Sequence, residues 1–191
     1  MKINLLGQSQ NWKEPFIKGF ETNRLIIRPM ESIDITLIID AIETSNELLF
    51  VKEIDSLSEM EKWLQSCIRR KRTIVLVIYP LDAIGDRHYK PSGFLMLDRR
   101  SKNEIELGGL IKKNAQKMGY ASEVVLALIS CLRQETVNAL RLYAEIRNDN
   151  KAAEKVLSKY GFKEDLSEKS GNRRAFYLTT GTQTDTRCVN R

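Results

Sequence analysis

The stretch Ile105-Glu106-Leu107-Gly108-Gly109-Leu110-Ile111-Lys112-Lys113-Asn114-Ala115-Gln116-Lys117-Met118-Gly119-Tyr120-Ala121-Ser122-Glu123 decides how this chain folds. It completes a strand predicted over Asn103–Ile111, passes a short loop and opens the strongest helical pattern in the sequence, Ala121–Val137. There Val124, Val125, Leu128, Cys131 and Leu132 hold one face, and Arg133 and Glu135 lie outside it. A helix start presents unpaired backbone N–H groups and a partial positive charge, so it attracts phosphate. Gly119 and Ala121 keep bulk away and let a diphosphate approach the amides from Lys117 through Met118 and Tyr120 to Ser122, while Lys112, Lys113 and Lys117 add charge at the same mouth. Neither G-x-x-x-x-G-K-[ST] nor G-x-G-x-x-G occurs in the chain. Taken alone, the stretch reads better as a loop glycine beside a solvated lysine face.

Upstream, Arg24-Leu25-Ile26-Ile27-Arg28 stops at Pro29 and suits a first strand. Ile35, Ile38, Ile39 and Ile42 fall at helical spacing, with Ser32 and Asp34 as candidate caps. Ser58-Glu59-Met60-Glu61 has the pattern of a capping box, opening a helix with Trp63, Leu64, Cys67 and Ile68 on its buried stripe. Thr73–Tyr79 is a β-branched run that predicts a buried strand, and Gly93–Leu97 predicts its return. Downstream, Leu140–Ile146 alternates as a strand does, and Ala153, Val156, Leu157 and Tyr160 mark a short helix ended by Gly161. Tyr160 lies on that apolar stripe and is expected in the core. Phe162-Lys163 and Ala175–Leu178 predict two closing strands across a polar loop at Ser167–Arg174. The order predicts an α/β fold with a mixed sheet of about seven strands and about four helices. Residues 1–19 read as an arm packed on the domain, 20–178 as that domain, and 179–191 as a disordered tail.

The chain has 191 residues, and 31 Lys+Arg against 25 Asp+Glu give a net charge of +6. With 42% hydrophobic and 29% charged residues it reads as an ordinary globular protein rather than a disordered one. Its apolar runs are too short to cross a bilayer, and Gly7-Gln8-Ser9 cuts off any secretory pattern, so a cytoplasmic location without membrane contact is expected. Three widely spaced cysteines make no disulfide framework. A single histidine, His88, leaves no zinc ligand set and no Ser-His-Asp arrangement, so no metal is expected.

Gln116-x-x-Gly119-x-Ala121 resembles the acetyl-CoA diphosphate loop of the GNAT superfamily of N-acetyltransferases. Three further motifs agree in order and spacing. Thr22–Pro29 looks like the opening strand of the subgroup containing the ribosomal-protein N-terminal acetyltransferases; Glu106-Leu107-Gly108 resembles its strand before the loop; Asn150-x-x-Ala153-x-x-Val156-Leu157-x-x-Tyr160-Gly161-Phe162 resembles its last helix. The resemblance implies a sheet splayed at its centre, between the strand ending near Ile111 and the one starting near Leu140. It implies acetyl-CoA as cosubstrate, held by the backbone of Leu110 and Ile111, by residues Gln116 to Ser122 of the loop, and by Asn150, whose other role is helix capping. It also implies direct attack on the thioester by a primary amine of a protein N-terminus or a small molecule. Such attack needs a proton acceptor, and Glu106 is the candidate base. Glu104, Glu106, Gly108 and Leu110 share one face of their strand, where burial would raise the carboxyl pKa; the other role open to Glu106 is to orient substrate or pair with a lysine. The family often carries a hydroxyl at the positions of Ala153 and Leu157, and neither is present here. Acidic Glu31, Asp34, Glu43 and Glu47 suggest one way to attract a cationic amine. A monomer or homodimer is expected.

Two other readings stay open. A GNAT-like protein that binds the coenzyme without turning it over would also lack those hydroxyls. A nucleic-acid-binding module would explain Arg69-Arg70-Lys71-Arg72, although that run ends a predicted helix, where cations suit the dipole, and carries no interleaved aromatics.

Overall fold

The computed structural model describes residues 12–45, 56–83, 90–135 and 139–180. In chain order these form α1 (Glu14–Ile17), β1 (Phe20–Glu21), β2 (Leu25–Pro29), α2 (Asp34–Ser45), α3 (Leu57–Cys67), β3 (Thr73–Pro80), β4 (Gly93–Ser101), β5 (Glu104–Ile111), α4 (Tyr120–Glu135), β6 (Leu140–Arg147), α5 (Lys151–Lys159), β7 (Lys163–Ser170) and β8 (Arg173–Thr180). The eight strands make one sheet in the order β1-β2-β3-β4-β5-β6-β8-β7. Neighbours are antiparallel except β5 and β6, which run parallel because α4 carries the chain across the sheet between them.

Two cores sit on opposite faces. Ile74, Leu76 and Ile78 of β3, with Leu97, Ile105 and Leu107, join Val124, Leu128 and Leu132 of α4. Val75, Val77 and Tyr79 join Ile35, Ile38, Met60 and Leu64 of α2 and α3 on the other side. That is why residues 73 to 79 read as one apolar run: every side chain of Thr73–Tyr79 is buried. Across β6 and β8 the two faces differ in chemistry. Leu142, Ala144, Ile146 and Phe176 enter the α4 core, while Arg141, Tyr143 and Tyr177 occupy the opposite face, with the Arg141 guanidinium 4.7 Å from the Tyr177 ring centre.

Several details depart from the sequence-based expectation. The arm turns into the four-residue α1, which seats Phe16 in the core at 0% exposure. Ser56 caps α3 by accepting from the Glu59 amide; it forms a Ser-x-x-Glu pair of its own, two residues before the expected one. Asp34 begins α2 but is wholly buried, and Arg28 engages it through both terminal nitrogens at 2.7 and 2.9 Å. The expected loop at Ser167–Arg174 is instead the end of β7, a Gly171-Asn172 turn and the start of β8; charge hid the strand, because its outer edge faces water. Thr179 and Thr180 belong to β8, opposite Arg141 and Leu140, so the strand outruns the expected domain end. His88, Glu47, Cys188 and residues 181–191 lie outside the described residues. Among the described residues no helix is long and apolar enough to cross a membrane.

Candidate active site

The site forms where the parallel pair parts. Strands β5 and β6 are in register from Glu104↔Arg141 to Leu107↔Ala144, and there the pairing ends. Both strands continue, β5 to Ile111 and β6 to Arg147, each paired on its outer side only. The resemblance placed a splay between these strands, and the structure has one beginning beyond Leu107. Lys112 donates its amide to Ser92 O at 2.8 Å. Backbone groups alternate along a strand, so Leu110 turns to β4, and Gly109 and Ile111 turn to the gap. Of the two backbone positions expected to meet a coenzyme arm, Ile111 faces the gap, and Gly109 holds the position expected of Leu110. Gly109 admits no side chain, since a Cβ there would lie 2.7 Å from Phe94 O. The Gln116 side chain reaches back and donates to Ile111 O at 3.0 Å, closing the loop onto the strand end.

Beyond that end the chain makes a short 3-10 turn over Lys113–Ala115. It then passes two left-handed residues, Lys117 at φ 63° and Gly119 at φ 84°, before α4 begins. The left-handed conformation is natural for glycine and costs lysine about 1–2 kcal/mol. Among the described residues, the amides of Lys117, Met118, Gly119, Tyr120, Ala121 and Ser122 donate to no backbone carbonyl. The helical ladder starts one residue later, with Glu123 N donating to Gly119 O at 3.1 Å. Lys117, Met118 and Gly119 are exposed, so the uncommitted amides line an accessible mouth. The Ser122 hydroxyl lies 3.0 Å from the Tyr160 hydroxyl and 3.3 Å from Lys159 Nζ. Tyr160 is therefore only partly the core residue expected of it: its ring packs on the core and its hydroxyl emerges at the first turn of α4. No local pattern signals this contact, which spans the 38 residues from Ser122 to Tyr160.

Asn150 caps α5, its side-chain oxygen accepting from the Ala153 amide at 3.0 Å, so its amide NH2 is the end left to face a ligand. Glu106 stands opposite Tyr143 in the register, two residues short of Gly108, the first residue past the paired segment. It shares the α2–α3 side of the strand with Leu110, as the alternation predicted. Its carboxylate is about one-third exposed and lies 3.6 Å from Arg100 Nε. Arg100 also lies 3.7 Å from Glu104, and its guanidinium stacks 4.1 Å from the Tyr143 ring centre. Burial works against the Arg100 charge, but Glu106, Tyr143 and Glu104 outweigh it and hold the guanidinium pKa above its ordinary value. Where the sequence suggested burial and a lysine partner for Glu106, the structure sets an arginine beside it. Among the described residues no cluster of three or more His, Cys, Asp or Glu side chains is arranged to hold a metal.

The parallel strands part beside a helix start whose amides are uncommitted, an arrangement suited to a long phosphate-bearing carrier. The chain belongs to the GNAT acetyltransferase family, whose domain matches residues 24–163, and is an acyltransferase. The fold is similar to RimL, a ribosomal L7/L12 alpha-N-protein acetyltransferase solved with coenzyme A, at TM-score 0.64 and 15% identity, covering 82% of this chain and 94% of that one. Spermidine N-acetyltransferase from Vibrio cholerae, solved with CoA and spermine, matches at TM-score 0.66 and 16% identity over 83% and 97% of the two chains. An uncharacterised protein from Bacillus halodurans matches at TM-score 0.69 and 16% identity over 87% and 91%. No curated protein sequence matches this chain.

Proposed function

We propose that the protein transfers an acetyl group from acetyl-CoA directly to a primary amine, and that the amine is a peptide N-terminus. The observation that carries the coenzyme assignment is the run of uncommitted amides from Lys117 to Ser122 beside the gap that opens past Leu107 and Ala144. The residues fit the carrier. The amides and the helix start suit a diphosphate, the gap-facing backbone of Gly109 and Ile111 suits the amide-bearing pantetheine arm, and the arm's thioester then comes to the Glu106 side of the sheet. Binding at Asn150 involves the side-chain NH2 left by its cap, and at Gln116 the Oε1 and the second amide N–H left by its bond to Ile111 O.

In the reaction the amine nitrogen attacks the thioester carbonyl carbon, a C–N bond forms and the C–S bond breaks. The nitrogen gives its proton, through water, to the Glu106 carboxylate. A thiol with a pKa of about 8.5 leaves as thiolate near neutral pH and takes a proton from solvent, so Ala153 and Leu157 need not carry hydroxyls.

A peptide N-terminus is favoured over a polyamine by the pairing of the acids on the strands that flank the gap and on their neighbours. Asp98 lies 2.7 Å from Arg72, Glu104 3.4 Å from Arg141, Asp165 2.6 Å from Arg141 and Glu145 3.6 Å from Arg173. Asp34, one of the acids expected to attract a cation, is buried on Arg28. A polycation would have to displace these arginines, whereas a single ammonium needs only Glu106. The test is release of free thiol from acetyl-CoA over a panel of peptides with Ser or Ala at the N-terminus, with spermidine and spermine beside them. Turnover on peptides above polyamines is expected. The reverse order overturns the acceptor assignment, and CoA binding without turnover on any amine overturns the catalytic one.

A further inference from the structure

The residue just before β2 sends its side chain to the start of α4, bonding a partner 99 residues away. Arg24 donates from Nε and Nη2 to Glu123 Oε2 at 2.8 and 2.6 Å, and from Nη1 to Met118 O at 2.9 Å. Its own amide and the Thr22 hydroxyl donate to the other Glu123 oxygen at 3.1 and 2.5 Å. The guanidinium lies 5.1 Å from the Tyr120 ring centre, and Nη2 would be 3.4 Å from a Cβ on Gly119. Burial opposes the Glu123 charge, yet the bonds from Thr22 and Arg24 prevail and hold its carboxyl below the ordinary pKa.

Stability alone accounts poorly for so many bonds on one arginine. Arg24 is half exposed, and an ion pair in that setting contributes little. Their geometry has two consequences for the mouth. A trans peptide points its carbonyl oxygen and its N–H in opposite directions. Holding Met118 O against Arg24 therefore turns the Gly119 N–H away from Arg24. Glu123 is the second consequence. Its carboxylate stands in the first turn of α4, where it suits the helix dipole but opposes an arriving diphosphate. Arg24 cancels that charge and, with three of its five N–H groups committed, keeps a cation beside Gly119.

We infer that Arg24 is a positioning residue for the coenzyme, which orients the Gly119 amide and neutralises Glu123 at the phosphate mouth. This inference rests on the coenzyme site proposed above. It makes Arg24 and Glu123 unequal, although they share one ion pair. Removing the arginine exposes an unpaired carboxylate to the phosphates, whereas removing the acid charge leaves a cation.

The test is calorimetric titration of CoA and dephospho-CoA into the full chain and its Arg24→Ala, Glu123→Gln and Arg24→Ala/Glu123→Gln variants, with melting temperatures recorded for each. Arg24→Ala is expected to weaken both ligands about tenfold, since both carry the diphosphate. It is also expected to raise KM for acetyl-CoA with kcat little changed. Glu123→Gln is expected to bind as tightly as the wild type or more tightly, and the double variant to recover part of the Arg24→Ala loss. A purely structural clasp would weaken both single variants alike, and that result overturns the inference. So does an Arg24→Ala affinity within about twofold of the wild type, or a loss confined to CoA, which would put the guanidinium on the 3′-phosphate instead. Failure of the wild type to bind either ligand overturns the coenzyme site itself, a separate outcome.

Discussion

Two arginines flanking the apolar run of β2, Arg24 just before the strand and Arg28 within it, do similar chemistry in different surroundings. At one end Arg28 holds Asp34, the first residue of α2; at the other Arg24 holds Glu123, in the first turn of α4. Each guanidinium makes two bonds to its acid, to both Asp34 oxygens but to the single Oε2 of Glu123, and each acid accepts a backbone amide as well, Glu31 N for Asp34 and Arg24 N for Glu123. Each arginine stacks on a tyrosine, 4.9 Å from Tyr79 and 5.1 Å from Tyr120. The difference is water. Asp34 is completely buried and its arginine 30% exposed, whereas the Glu123 and Arg24 side chains are 18% and 49% exposed. Solvent screening leaves the first pair a matter of stability and makes the second a weak contributor to it.

The largest effect expected from breaking this comparison is on the buried side. Arg28→Ala strands the Asp34 carboxylate with only Tyr79 and the Glu31 amide to satisfy it. An uncompensated buried charge costs about 3 kcal/mol or more. Urea unfolding should show that loss, and the melting temperature should fall by about 6–12 °C. Arg24→Ala should cost under about 1 kcal/mol in the same experiment. Equal losses would erase the distinction.

A third pair, Arg100 with Glu106, has intermediate exposure, at 37% and 32%. If Glu106 accepts the amine proton, Glu106→Gln keeps the shape and removes the charge. The expected outcome is a fall in kcat of about a hundredfold or more, with little change in KM for acetyl-CoA or in unfolding free energy. Unchanged turnover would remove Glu106 from the reaction and leave it as a partner of Arg100.

The glycines sharpen the comparison at smaller magnitude. Gly119 and Gly161 both sit at φ 84°, so alanine at either adds comparable backbone strain, about 1–2 kcal/mol. At Gly161 the new Cβ would meet Leu178 at an ordinary 3.8 Å and stand clear of the mouth. At Gly119 it would stand 3.4 Å from Arg24 Nη2, at the loop itself. Melting temperatures of the two variants should fall together, while CoA affinity should fall about tenfold for Gly119→Ala only. Matched affinities would mean that the loop is not the phosphate site.

These contrasts mark what the linear sequence can show. The β-branched run at Thr73–Tyr79, the stripe of α4 and the Gln116-x-x-Gly119-x-Ala121 loop were all legible, because each is a local pattern whose period or turn chemistry acts within a few residues. The ion pairs were not. Arg24 and Glu123 are separated by almost the length of the sheet in sequence, and nothing in Thr22-Asn23-Arg24 tells which helix start it will meet. Asp34 looked like an exposed attractant on a helix and is instead the most buried acid described, since a cap residue facing a strand arginine has no local signature. The point where β5 and β6 part was expected from a resemblance and not from composition, for a parallel register is set by the α4 crossover rather than by either strand. Strand β7 was mostly missed because Lys163–Ser170 has the composition of a loop, and its ladder to β8 supplies the order that its side chains do not signal.

The smallest expected effect lies in acid. Asp34 has a lowered pKa: burial pushes it up, and the bonds from Arg28, Tyr79 and the Glu31 amide more than offset that. Glu123 is lowered by the same balance at the rim. For a carboxyl whose folded pKa is depressed, the stabilisation is complete above its unfolded value, about 4, and fades as pH falls through the folded value. The wild type should therefore lose stability between pH 6 and pH 3, and each pair should own part of that slope. Removing Arg28 should change the slope most, because protonation then relieves a stranded charge and the deficit of Arg28→Ala shrinks as the solution is acidified. Removing Arg24 should flatten it by only a few tenths of a kcal/mol, a share that added salt should reduce further. Unfolding free energies of both variants at pH 6 and pH 3, at low and high salt, check this. A large salt-insensitive slope change in Arg24→Ala would mean that the rim pair behaves as a buried one, and that the mouth excludes water even before a ligand arrives.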